Sequence, residues 1–275
     1  MAVQPPTQAP AEGPPPDEPE PQKQERRVLT ILEHLQELRY RMTVVAVALV
    51  VGVGVSFWPL TGWFIDFLKQ PAEGRVDNFE TYFFDPLEGW TTYFRVALLL
   101  GITISMPVLV YQLLAFISPG LTKDERRWLY PIVAGASLAF IGGVAFAYYI
   151  ELPPALGFLL NPPGDLGEPL ISVRKYFDFV TRLLLVTGLV FELPLVIMGL
   201  AKLGVVTSRK LLGWWRYAIV IGFVAAAIVT PSVDPITQSL VAGPIIILYF
   251  TGILLAKIVE GSPLIARGAA DERRD

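Results

Sequence analysis

Glu192 is the residue whose position demands the most explanation. It lies in the middle of Leu183–Ala201, LLLVTGLVFELPLVIMGLA, a run apolar enough to sit inside a lipid bilayer. An ionisable side chain at the bilayer midplane costs roughly 2.5–3.5 kcal/mol on insertion scales, so it needs a partner: a polar group on a neighbouring helix, a proton or a substrate. Pro194, two residues on, lacks an N–H and frees the carbonyl of Val190, making the spot locally polar and kinked. Either a Thr or Tyr of a neighbouring helix satisfies the acid, or a partner from outside the chain does.

Two further carboxylates lie in polar, helix-forming contexts. In Glu33-His34-Leu35-Gln36-Glu37-Leu38-Arg39-Tyr40-Arg41, residues 33, 37 and 41 share a helix face. Glu37 can pair with Arg41 at i,i+4 spacing, or it can present its carboxylate to a cationic partner at the membrane surface. Glu125 closes the capping box Thr122-Lys123-Asp124-Glu125, and its acid suits the positive end of a helix dipole. His34 is the one histidine, so it has no second histidine for a metal site and no evident Ser/Asp triad. No phosphate loop, dinucleotide fingerprint or paired intramembrane carboxylates of the protease kind stand out, which argues against an enzyme, a cofactor or a nucleic-acid partner.

The elements that must carry these residues follow from hydropathy. The 275 residues are 53% hydrophobic and 17% charged, with mean hydropathy +0.52. Several solid apolar runs approach the ~20 residues that cross a ~30 Å hydrocarbon core. The fold class is therefore all-α, a polytopic membrane protein. Its spans are expected near Met42–Leu60, Tyr93–Ile117, Trp128–Ile150, Phe179–Ala201, Gly213–Val229 and Ser239–Ala256. Six transmembrane helices result, with a short fifth and a short sixth. Pro107 falls inside the second, and a Pro/Gly-rich loop is expected over Leu152–Glu168. The absence of cysteine excludes disulfides and thiolate chemistry.

Residues 1–27 are rich in Pro, Glu and Gln and read as a disordered tail. Residues 28–260 form the membrane domain, which opens with Thr30 as helix N-cap and Glu33 completing its capping box. Residues 261–275 form a charged tail. Lysine and arginine set the orientation: 16 of the 22 fall on the side of the two termini and the second and fourth loops. Both termini are thus expected in the cytoplasm of a cell whose plasma or inner membrane holds the protein. The outer loops carry Trp63, Phe64, Phe67, Tyr82, Phe83 and Trp90, suited to the headgroup level, with Trp63–Leu68 lying along the surface.

Four stretches carry a resemblance: HLQELRYR (His34–Arg41), YQLLAFISPGLTKDERR (Tyr111–Arg127), FAYYIELPPALGFLL (Phe146–Leu160) and FELP (Phe191–Pro194). Together they resemble the TatC family, the multispanning core of the twin-arginine protein translocase. The resemblance implies that Glu37 and Glu125 help recognise the paired arginines of signal peptides, with Arg39 and Phe116 belonging to the same site. It implies that Glu192 contacts single-span partners of the TatA/TatB type, and that a multimeric complex exports folded proteins on the proton motive force. The competing reading is a proton-coupled secondary transporter using Glu192. Against it stand the lack of an internal repeat and the apparent lack of other intramembrane charge.

Overall fold

In a computed structural model the chain is described over residues 20–74, 79–117, 129–160, 170–202, 204–230 and 235–260. It falls into two compact units, residues 1–43 and residues 44–275. The first holds the amino-terminal part of helix α1, which runs Glu20–Phe57. Thr30 therefore lies within α1 and is not its N-cap, and residues 20–27 are helical where a tail was expected. The reason is local: Glu, Gln, Lys and Arg in EPQKQERR are good helix formers, and Pro21 falls in the first turn, where its missing N–H costs nothing.

After α1 the second unit continues as α2 (Thr61–Glu73), a short strand β1 (Thr81–Tyr82), α3 (Glu88–Ile117) and α4 (Leu129–Phe146). A π-helical turn over Ala147–Glu151 leads into α5 (Leu152–Leu160). Then come β2 (Ile171–Ser172), α6 (Val173–Phe191), α7 (Leu193–Lys202), α8 (Ser208–Gly213), α9 (Trp215–Val229) and α10 (Pro235–Glu260). Five segments are long and apolar enough to cross a membrane: Leu35–Phe57, Glu88–Phe116, Tyr130–Leu160, Val173–Lys202 and Pro235–Glu260. Trp215–Val229 is the shorter apolar helix, as expected of the fifth span. At ~1.5 Å per residue its 15 residues rise roughly 22 Å, less than a ~30 Å core.

Three boundaries differ from the hydropathy pattern, and prolines or a serine cap explain each. The sixth helix is not short: α10 has 26 residues, starting on Pro235 in its first turn and continuing through Pro244. The third span does not end at Ile150. The Leu152 N–H reaches the Ala147 carbonyl, the five-residue spacing of a π turn, and the helix then continues through Pro153 and Pro154 to Leu160. The fourth span starts at Val173, ahead of the expected Phe179, because Ser172 caps it by accepting from the Lys175 N–H at 3.3 Å.

Close helix contacts are made by small residues, as lipid-embedded helices require. A Cβ on Gly52 of α1 would meet the Ser105 hydroxyl and, at 2.6 Å, the Gly101 carbonyl of α3. A Cβ on Gly143 of α4 would come within 2.9 Å of the Gly188 Cα on α6. Side-chain hydroxyls then tie loops to helices at one end of the bundle. Tyr148 donates to the Phe67 carbonyl (2.8 Å) and Tyr176 to the Leu68 carbonyl (2.6 Å), which pins α2. On α2, Leu68 and Ala72 are buried and Trp63 is exposed. The strands β1 and β2 pair in parallel, Thr81 with Ile171 and Tyr82 with Ser172. Beside them the buried Glu88 accepts from the Phe84 N–H at 3.0 Å and the Ser172 hydroxyl at 3.5 Å.

The glycine contacts give a direct test. Replacing Gly143 with Leu should lower stability in detergent by about 1–3 kcal/mol through overpacking. Gly142→Leu, where an added Cβ meets nothing within 4 Å, should leave the thermal midpoint unchanged. Equal midpoints for the two variants would contradict the close α4–α6 approach.

Candidate functional site

The acids of the membrane helices are placed by breaks in those helices. Glu192 sits at the junction of α6 and α7. Its N–H reaches the Leu189 carbonyl at 3.1 Å, a tightened turn, and its carbonyl accepts from the Val196 N–H at 3.0 Å. Pro194 supplies the reason, since it cannot donate to Val190 and the backbone redirects around it. The side chain is half-buried, and Oε1, fully enclosed, has no hydrogen-bond partner among the described residues. A bond from a neighbouring Thr or Tyr to that oxygen is therefore not what this fold provides.

Such a bond is instead made to an acid the hydropathy pattern left at a helix end. Glu151, in the π turn, is 1% exposed, and its Oε2 accepts from the Thr187 hydroxyl of α6 at 2.7 Å. Its Oε1 has no partner among the described residues. Two prolines directly after Glu151 read as a loop, which hid its burial. The expectation that Glu192 is alone in carrying intramembrane charge is corrected by Glu151, and by Arg95, Asp178 and Arg182 on α3 and α6, which lie within segments long enough to cross the membrane.

In the first unit, Glu37 is engaged with Arg41, whose Nε donates to Glu37 Oε1 at 3.1 Å, with Nη2 closing on the same oxygen. The i,i+4 pair thus forms, and Glu37 Oε1 is its acceptor. The pair is partly buried, and i,i+4 helix pairs typically contribute only about 0.3–0.5 kcal/mol. Arg39 is exposed, and its carbonyl accepts from the Thr43 hydroxyl at 2.9 Å. In the second unit, Phe116 is half-buried in the last turn of α3. Glu125 lies outside the described residues, as does the side chain of His34. No cluster of three or more His, Cys, Asp or Glu that could hold a metal occurs among the described residues.

A family model described as "Sec-independent protein translocase protein (TatC)" matches residues 33–244, which include Glu37, Arg39, Phe116, Glu125 and Glu192. The chain belongs to the TatC family. Among its relatives, the Sec-independent protein translocase protein TatC of Synechocystis is 41% identical over 228 residues, covering 82% of this chain and 87% of that protein. The chloroplastic TATC of Arabidopsis thaliana is 40% identical over 231 residues, 84% of this chain and 67% of the relative. A crystal structure of the twin arginine translocase receptor TatC superposes with a TM-score of 0.75 at 37% identity, covering 82% of this chain and 99% of that one. This TatC-family chain is thus a multi-pass membrane protein of the protein-translocase class.

The Glu151–Thr187 bond makes a second prediction. Thr187→Val removes the donor and leaves a buried carboxyl without a partner, which should destabilise the protein by about 1–3 kcal/mol. Glu151→Gln keeps an acceptor facing Thr187 and should be close to neutral. The check is thermal unfolding of the purified protein, and a neutral Thr187→Val would show that the pair carries no stability.

Proposed function

We propose that this chain is the receptor and scaffold subunit of a twin-arginine translocase in the cell (plasma or inner) membrane, with both termini cytoplasmic. It binds the signal peptides of folded precursors, assembles with single-span TatA/TatB-type partners into a multimeric complex, and exports cargo on the proton motive force. The observation that supports this best is the family match over residues 33–244, which contains every residue the reading uses. A solved relative is itself named a twin arginine translocase receptor.

The chemistry is a match of forks to acids. A twin-arginine motif presents two guanidinium groups, always charged and shaped for bidentate carboxylate binding. Glu37 and Glu125 receive them, with Arg39 setting the charge around Glu37 and Phe116 offering an aromatic surface to the peptide. The pair between Glu37 and Arg41 fits this role: an i,i+4 cation holds the carboxylate in place and is readily displaced by a bidentate guanidinium. Charge-assisted hydrogen bonds contribute roughly 1.5–3 kcal/mol each, and the apolar segment of the peptide adds affinity by partitioning into lipid. Glu192 serves a different contact. Its carboxyl, half-buried in a segment of membrane-spanning length, is suited to a polar side chain of a single-span partner helix, which would relieve the cost of an intramembrane acid. Residues 28–260 act as the membrane domain of this assembly, and residues 261–275 as a charged cytoplasmic tail.

The test is binding and cross-linking of a twin-arginine signal peptide to the intact protein in membranes. Glu37→Ala and Glu125→Ala should each weaken binding about tenfold or more, and replacing the peptide's arginines with lysines should do the same, since charge remains but the fork is lost. Unchanged binding in both variants would overturn the recognition assignment.

A further inference from the structure

Among the described residues, the charges along α3 and α6 do not balance. Asp178 of α6 stands between two guanidinium groups: its Oδ1 lies 3.0 Å from Arg95 Nη1 of α3, and its Oδ2 lies 3.4 Å from Arg182 Nη2. Arg174 is exposed one turn before Asp178 on the same face, so residues 174, 178 and 182 form one stripe. The acid nearest along α3, Glu88, is already turned to the Phe84 N–H and the Ser172 hydroxyl. Two arginines share one carboxylate, and the stripe adds a third cation.

The arginines also keep unused donors. The Arg95–Asp178 contact is electrostatic, because its angle does not make a hydrogen bond and Arg95 Nη1 has no acceptor among the described residues. Arg182 Nη1 donates to the Ile228 carbonyl at 3.3 Å, in the last turn of the short helix α9. Each guanidinium carries five N–H groups, so Arg182 retains donors and Arg95, whose Nη1 is enclosed, retains those on Nε and Nη2; their side chains are 46% and 34% exposed, respectively.

Position decides what can meet those donors. Arg182 lies about 14 Å along α6 from Val173 at ~1.5 Å per residue, in a segment of the length and hydropathy of a membrane span. A cation there without its counter-charge is costly. The helix beside it, α9, ends at Val229, next to the Ile228 carbonyl that Arg182 caps. A helix shorter than the hydrocarbon core draws the bilayer thin, which brings headgroups down to the level of Arg182.

We propose that Arg95 and Arg182, set apart by Asp178, bind the phosphate of an anionic phospholipid drawn down beside the end of α9. Guanidinium forks suit phosphate oxygens in two-point contact, and the lipid's charge balances the excess cation. Asp178 is occupied on both oxygens, spaces the forks and turns no free oxygen toward the phosphate. The site does not depend on the signal-peptide reading, because its residues lie apart in sequence from Glu37, Phe116, Glu125 and Glu192.

The experiment uses the full chain, purified in a non-ionic detergent and titrated with phosphatidylglycerol or phosphatidylcholine under native mass spectrometry. The unsubstituted protein should hold one phosphatidylglycerol in preference to phosphatidylcholine. Arg95→Gln and Arg182→Gln, with helicity checked by circular dichroism, should each weaken that binding about tenfold. If either variant loses helicity, Arg95→Lys and Arg182→Lys keep the charge and lose the fork, and should still weaken binding several-fold. Inorganic phosphate in large excess should leave the lipid bound. Equal retention of both lipids, unchanged binding in the variants, or displacement by inorganic phosphate would each overturn the site. So would a cross-link from position 182 to an acidic residue of a single-span partner with lipid binding unaffected by the variants.

Discussion

Lipid offers no hydrogen bonds, and that single constraint organises this molecule. Inside the hydrocarbon every polar group must be satisfied by the chain, by another protein or by a headgroup. Most are satisfied locally. Ser105 donates across to the Ala48 carbonyl at 2.7 Å, Ser56 to the Ala97 carbonyl at 3.2 Å, and Tyr93 to the Phe57 carbonyl at 2.5 Å. Each bond also fixes one helix against another, so the pairing of polar groups is at the same time the packing of the bundle. Among the described residues the buried side-chain atoms left over are Thr92 Oγ1, Arg95 Nη1, Glu151 Oε1 and Glu192 Oε1.

The same logic explains the irregular backbone. A proline removes a donor and forces nearby carbonyls to find new ones. Before Pro153 the chain answers with a π turn, which aims Glu151 at Thr187. Before Pro194 it breaks the helix at Glu192. Both acids thus sit where the helical ladder is interrupted, and among the described residues each keeps one enclosed oxygen without a partner, though Glu151 also accepts from the Thr187 hydroxyl. At the opposite end of the bundle, Glu260 closes the start of α8 by accepting from the Ser208 N–H and hydroxyl, each at 2.6 Å. The short helix α8 is thereby tied to α10.

Which of this was legible in the sequence depends on the kind of signal. The six apolar segments and the short α9 follow from hydropathy, because lipid demands long unbroken runs. Glu192 was legible for the same reason, as one acid in an otherwise apolar stretch. Glu151 was not, because a Glu followed by Leu-Pro-Pro reads as the end of a helix and only three-dimensional packing shows it buried. Asp178 was left just outside the expected fourth span; its pairing with Arg182, and with Arg95 across helices, shows only in three dimensions. The Thr30 capping box failed because the preceding Glu, Gln and Lys extend the helix upstream. The role proposed for Glu37 and Glu125 came only from family resemblance, since a Glu37–Arg41 pair and a Glu125 capping box are common on any helix.

The role proposed for Glu192 places it in the hydrocarbon against a companion helix. The chain has no native cysteine, so a single Glu192→Cys variant reports on this position alone. In native membranes this cysteine should resist a water-soluble maleimide, react with a lipid-soluble one, and form disulfides with a cysteine in the membrane helix of a single-span partner. Rapid labelling by the water-soluble reagent, with no partner disulfide, would contradict it.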